Sequence, residues 1–215
     1  MRSAAIAAAL VLCSSLAVAA CDRSGDKVKA EVTNAVATSS AKVEGTHEIL
    51  AIATGSSKVE FVGYKAIGKH DGSFSGFTGS VDLVDGNPEK STVTIDLDPA
   101  TVTTDDEKLT AHLKSKDFFD VAAHPKASFV STSIKKQDGP KGATHLVTGN
   151  LELRGVKKSV TFPAKVTVSP DGVSAAAEFT INRKDFDIVY AGMADNLIKD
   201  DVTIRLDVKA PRKKG

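Results

Sequence analysis

Val160-Thr-Phe-Pro-Ala-Lys-Val-Thr-Val-Ser-Pro-Asp-Gly-Val-Ser-Ala-Ala-Ala-Glu-Phe-Thr-Ile181 is the stretch from which the fold is read. Apolar residues recur at every second position, first Val160, Phe162, Ala164, Val166 and Val168, then Val173, Ala175, Ala177, Phe179 and Ile181. Successive side chains of a strand point to opposite faces, so each run has one apolar and one polar face. Pro170-Asp171-Gly172 between them has the composition of a hairpin turn.

Outward from this pair, the same alternation returns in Val59 and Phe61, in Val93, Ile95 and Leu97, and in Val202, Ile204, Leu206 and Val208. Less regular runs cover 77–85, 127–135 and 144–153, which brings the expectation to about eight strands. Asp-Gly pairs at 71, 85, 138 and 171 each fall near the end of a run. Strands joined by short turns form an antiparallel meander, and about eight of them can close into a barrel able to hold one small ligand. A two-sheet sandwich is the alternative on the pattern alone. The expected fold is therefore all-β, an eight-stranded antiparallel barrel over residues 53–210.

One segment breaks the alternation. Thr104-Asp-Asp-Glu107 has the form of a capping box, with acids in the first turn, so a helix is expected over about 105–115. Leu109, His112 and Leu113 share one face of it. The following His112-Leu-Lys-Ser-Lys-Asp-Phe-Phe-Asp-Val-Ala-Ala-His-Pro125 places two adjacent rings, Phe118 and Phe119, between aspartates. A half-buried strand would expose one ring to water, so the pair belongs to a turn or short helix wedged between layers, or to a plug over an apolar cavity.

Composition narrows the function. The 215 residues allow one medium domain with a core. The formal charge is +1, and residues 1–20 hold one Arg and no acid, so the remainder is balanced at 27 bases and 27 acids. Nothing in that balance steers the chain toward nucleic acid. The two cysteines, Cys13 and Cys21, leave none in the body for a disulfide framework or a thiolate metal site. His47, His70, His112, His124 and His145 lack the spacing of known zinc motifs, and no Gly-x-Ser-x-Gly elbow is present, so no catalytic or metal-ligating residue is assigned.

The N-terminus carries its own signal. Met1-Arg2 precedes an apolar, small-residue run from Ala4 to Ala20, then the polar Cys21-Asp-Arg-Ser-Gly-Asp-Lys27, which is the layout of an export signal over 1–20. Leu16-Ala-Val-Ala-Ala-Cys21 resembles the lipobox of bacterial lipoproteins, which implies acylation of Cys21 and attachment to a bacterial cell membrane, facing the periplasm or cell exterior. Residues 21–52 are rich in Ala, Ser, Thr, Lys and Glu, and read as a flexible tether with a weak helical tendency around 28–36. Residues 211–215 read as a basic tail.

Five stretches in order resemble the YceI-like, or polyisoprenoid-binding, family: Ser57-Lys-Val-Glu-Phe-Val-Gly63, Asp105-Asp-Glu-Lys-Leu-Thr-Ala-His-Leu-Lys-Ser-Lys-Asp-Phe-Phe-Asp-Val121, Pro125-Lys-Ala-Ser-Phe129, Thr148-Gly-Asn-Leu-Glu-Leu-Arg-Gly155 and Arg183-Lys-Asp-Phe186. The resemblance covers about 56–210 and implies a lipocalin-like barrel that binds a long isoprenoid chain, such as a polyprenyl lipid or prenylated quinone, and is not an enzyme. It implies no covalent cofactor in the folded domain, and a homodimer is possible by the same likeness.

On this reading Phe61, Phe118, Phe119, Phe129, Phe162, Phe179 and Phe186 are the ligand-binding candidates, with Tyr190 and Met193 at the rim. The chain departs from the family pattern at Arg154, which either faces solvent or pairs with a head-group phosphate, and at Phe186-Asp187, where relatives carry a glycine after the Phe. A surface interaction protein with a filled barrel is the alternative, and a lipid-modifying enzyme ranks after it.

Overall fold

A computed structural model describes residues 27–37, 43–193 and 196–213. The export signal, Cys13, Cys21 and the side chain of Met193 lie outside what is described. The strands in chain order are β1 (Glu31–Asn34), β2 (His47–Ala51), β3 (Lys58–Tyr64), β4 (Lys69–Phe74), β5 (Phe77–Val84), β6 (Asn87–Leu97), β7 (Val102–Thr104), β8 (Ala127–Lys136), β9 (His145–Leu153), β10 (Val156–Ser169), β11 (Gly172–Asn182), β12 (Gly192–Met193), β13 (Asn196–Leu197) and β14 (Asp201–Pro211). One α-helix, α1 (Glu107–Leu113), stands among the described residues between β7 and β8.

The chain is all-β and antiparallel, but the count of eight strands is corrected: the main sheet has 12. Its order is β2-β5-β6-β8-β9-β10-β11-β14-β3-β4-β7, with β1 joined to β10 off that path, and it curls into a half-barrel. The path does not close as a ladder; the Ala53 N–H, just past β2, donates to the Lys209 carbonyl of β14 at 2.8 Å. The surplus over eight comes from four short strands that the sequence reading did not count: β1, β2, β4 and β7.

Two of these correct the expected tether. In β2, Ile49 is opposite Asp82 of β5, and His47 lies 2.9 Å from both carboxylate oxygens of Asp82. In β1, Glu31 is opposite Thr161 and Asn34 opposite Lys158 of β10, while the Ala30 N–H donates to Thr180 of β11 and the Thr180 N–H donates to Val28. β10 and β11 pair with each other only between Lys165–Ser169 and Gly172–Ala176. Beyond that ladder the two strands part, and residues 28–34 fill the gap, antiparallel to one and parallel to the other. Ala30 is buried there with Val160, Phe162, Phe179 and Ile181. Extended pairing replaces the weak helical tendency because the backbone groups on both sides of the gap need partners.

The alternation itself is borne out. Val160, Phe162, Ala164 and Val166 of β10, Val173, Ala175, Ala177, Phe179 and Ile181 of β11, and Val202, Ile204, Leu206 and Val208 of β14 all face one interior. Asp85-Gly86 forms a two-residue hairpin with φ of 53° and 68°, the left-handed pair that matches strand twist. Asp71-Gly72, expected at a turn, instead lies inside β4, where Gly72 is opposite Phe61.

The helix is shorter than expected and its cap lies two residues later. Asp106, not Thr104, is the N-cap, and its side chain accepts from the Leu109 N–H at 3.0 Å. That hydrogen bond holds the Asp106 carboxyl below its ordinary value. Thr104 is diverted to Thr110, whose Oγ1 is 2.9 Å from its own.

Candidate functional site

The inward faces of the strands enclose a cavity of about 300 Å³. It runs from Tyr64, Lys65, His70 and Ile198 at the end nearer α1 to Leu83, Pro88 and Val173 at the other. Leu109 and Leu113 of α1 turn their apolar face onto it, as the i and i+4 spacing implies.

Phe118 and Phe119 both line this space although they are neighbours in sequence. They sit in a turn, not a strand: the Phe119 N–H donates back to Leu113, the Asp120 N–H to Ser115, and Asp120 takes a φ of 46°. Phe118 packs edge-on against His112 at 5.0 Å, and Phe119 against Phe74 at 5.6 Å. Asp117 Oδ2 lies 2.9 Å from His112 Nε2, which accounts for one of the flanking acids.

Deeper in, Phe162 and Phe179 stack with centroids 4.1 Å apart and planes 12° from parallel, and Phe129 leans on Phe162 at 5.8 Å. Phe61 and Phe74 form a second pair at 5.6 Å. Two glycines make room for these rings. A Cβ on Gly72 would lie 2.2 Å from the Phe61 ring, and one on Gly149 would lie 2.3 Å from the Phe129 ring and 2.7 Å from the Val130 carbonyl. Gly149→Ala is expected to destabilise the fold by about 1–3 kcal/mol, because the ring must leave its rotamer or the strands must part. Thermal unfolding at wild-type temperature would overturn this account of Gly149.

The structure thus gathers six sequence-expected residues, Phe61, Phe118, Phe119, Phe129, Phe162 and Phe179, on one cavity. It places two elsewhere. Phe186 is fully buried in the core, in a 3-10 turn past the end of β11 where the two-residue rule no longer decides facing. Tyr190 packs outside the lining, against His112 at 4.9 Å and Phe118 at 5.4 Å. Missed by the sequence reading were Phe74, His70 and Arg183. His70, Gly72 and Phe74 keep two-residue spacing, a signal obscured by the Asp-Gly pair inside it.

Arg183 brings a charge to the lining but not a vacant one. Its Nη1 donates to Ile188 O at 2.6 Å, Nε to Lys199 O at 3.3 Å and Nη2 to Asp200 Oδ1 at 3.1 Å. The Lys184 ammonium, helped by the Arg183 charge, holds the Asp200 carboxyl below its ordinary value. Arg154 is half-buried and only partly engaged, its Nε being buried without a hydrogen-bond partner. It forms a left-handed hairpin pair with Gly155 and donates to the carbonyls of Asp187 and Lys116 at 2.7 and 2.9 Å. Asp187, where the resemblance leads one to expect a glycine, adopts a φ of 57° all the same. Among the described residues no group of three or more His, Cys, Asp and Glu is arranged to hold a metal ion.

At the helix end of the cavity, Tyr64 OH lies 3.2 Å from Thr203 Oγ1, and Lys27 Nζ sits 3.4 Å from the centre of the Tyr64 ring. Burial pushes the Tyr64 phenol up, but hydrogen bonds to Thr203 and Lys27 and the nearby cations outweigh it, leaving it below the ordinary value.

Fold and cavity together define the class: an antiparallel half-barrel folded round an elongated apolar cavity and covered by a helix at one end. The chain belongs to the YceI-like domain family, whose sequence profile matches residues 50–210. It is 35% identical over 153 residues to a UPF0312 protein of Pseudomonas putida, covering 68% of this chain and 77% of that one. A UPF0312 protein of Pectobacterium carotovorum is 32% identical over 151 residues, covering 67% and 72%. Among solved structures, BcnA of Burkholderia cenocepacia superposes with a TM-score of 0.64 at 23% identity, over 74% of this chain and all but 1% of that one. A polyisoprenoid binding domain from Saccharophagus degradans superposes with a TM-score of 0.58 at 16% identity, over 76% and 100%.

Proposed function

We propose that the protein is an exported, lipid-anchored carrier or sequestering module for a long-chain isoprenoid, either a polyprenyl lipid or a prenylated quinone, and that it catalyses no reaction. The observation that carries this reading is the lining: apolar side chains run from Phe118 and Phe119 to Leu83 and Val173, and the guanidinium of Arg183 among them is already engaged by protein acceptors. Burial of each CH₂ is favourable by about 0.8 kcal/mol, so a flexible chain with no polar groups gains in proportion to the length it inserts. The Saccharophagus domain of the same fold is described as polyisoprenoid-binding, which favours this class of apolar chain.

A cavity of about 300 Å³ stands at the low end for a small-molecule site. A long prenyl chain therefore exceeds this space, and only part of its length fits within the cavity. Anchorage rests on the lipobox-like sequence at Cys21, since two or more acyl chains hold a protein stably where one does not.

The test is organic extraction and mass spectrometry of residues 27–215, which retain β1, purified without detergent from the native host. One prenyl lipid per protein is the expected result. No lipid above a blank, with no uptake of added ubiquinone, would overturn the carrier reading in favour of a surface interaction protein with a filled barrel.

A further inference from the structure

Of the six large apolar side chains left exposed among the described residues, three stand together at the helix end of the cavity. Ile67, in the turn between β3 and β4, is 88% exposed, Val189 is 63% exposed and Leu197 of β13 is 53% exposed. Backbone contacts hold these three segments together. The Ala66 N–H donates to Leu197 O at 2.9 Å, the Ile198 N–H to Ala191 O at 3.1 Å and the Lys199 N–H to Tyr64 O at 2.9 Å. Lys65 pairs with Ile198 as an isolated bridge, and both residues also line the cavity. The apolar tips therefore stand directly beside the cavity's end.

Charge on these segments is predominantly basic. Residues 64–70 and 189–199 contain Lys65, Lys69 and Lys199 against a single acid, Asp195. The neighbouring acids have partners of their own: Asp71 pairs with Lys69 and Arg205, Asp105 with His70, and Asp200 with Arg183 and Lys184, while Asp106 caps α1; among the described residues, Lys65 and Lys199 are the cations of these segments outside such pairs. Exposed apolar tips ringed by lysines suit the boundary of an anionic bilayer, where the tips enter the acyl region and the ammonium groups meet phosphates.

The path of the chain agrees. Its first described residue, Lys27, lies against Tyr64 at this same end. The six residues from Cys21 to Lys27 reach at most about 20 Å when extended, and the run from Ala4 to Ala20 precedes them.

We propose that the tips Ile67, Val189 and Leu197 form a membrane-docking surface that seats the helix end of the half-barrel on an anionic lipid bilayer. This goes beyond the ligand reading and is tested without any isoprenoid, so either can fail alone. The chain has no Trp, so Ile67→Trp introduces a single reporter. Ile49→Trp, on β2 toward the opposite end of the half-barrel, is the control, since Ile49 is 66% exposed.

Both are made in residues 27–215, which lack Cys21 and the apolar run before it. On adding vesicles of phosphatidylcholine and phosphatidylglycerol, emission from position 67 is expected to shift to shorter wavelength and to be quenched by brominated acyl chains, while position 49 does neither. Adding Val189→Glu and Leu197→Glu should raise the lipid concentration at half-shift at least tenfold; should that variant fail to fold, vesicle flotation of Ile67→Glu in the same residues 27–215 reads the same loss. No shift at position 67, an equal shift at position 49, or indifference to the glutamates would overturn the proposal. A shift that grows with protein concentration in the absence of vesicles would overturn it too, by showing that a second copy covers the tips.

Discussion

Replacement of Arg183 by methionine is expected to lower the unfolding free energy by about 3 kcal/mol, at about 1–3 kcal/mol for each buried carbonyl left without a donor. The methionine keeps an unbranched apolar stem in a site that is 5% exposed, so packing is largely retained and the loss reports on the guanidinium. Ile188 O and Lys199 O lose their donors, while Asp200 keeps Lys184 and stays partly in water. For a chain of this size the change corresponds to about 10 °C in Tm. Arg183→Lys should recover little of it, because one ammonium cannot span three acceptors set by a planar fork. Thermal and urea unfolding check both variants, and a loss under about 0.5 kcal/mol for Arg183→Met would sink the clamp assignment.

The second large effect concerns the cavity. Ala177→Phe places a ring in the middle of the lining, between Phe179 and Ala175 on the inward face of β11. Uptake of an added prenylated quinone is expected to fall at least tenfold. The unfolding temperature should not fall with it, because the ring enters space that is already apolar and empty of protein. Ala176→Phe, one residue along and exposed, adds the same ring to the outside and should bind as wild type does. Equal binding by the two variants would mean that the cavity does not hold the ligand; loss in both would point to a disturbed strand instead.

The long strands were legible because burial on one face writes itself as alternation. Val160 to Ile181 showed this, and every alternating residue quoted from β3, β6 and β14 lies on the lining. The adjacent phenylalanines were legible for the opposite reason, since no strand satisfies both rings. What stayed hidden depends on partners distant in sequence. β1 and β2 are short and without a sustained alternation, and extend only because β10, β11 and β5 offer unpaired backbone edges. The N-cap was misplaced by two residues because Thr104, Asp105 and Asp106 are all competent caps, and the pull of Thr110 on Thr104 becomes apparent only in three dimensions. Phe186 resembled a pocket residue by composition, yet the chain had already left the sheet before reaching it.

Residues 28–34 precede the stretch that defines the family, which begins at residue 50. The family segment by itself is thus a vessel with a slot in its wall, where β10 and β11 diverge, and this chain supplies its own stave from sequence outside that segment. A recombinant form cut at residue 50 would leave two unpaired strand edges facing each other across the stacked Phe162 and Phe179, an invitation to adopt a strand from another molecule. The boundary of the folding unit is therefore Lys27 or earlier, and residues 28–34, read from sequence as tether, are also joinery.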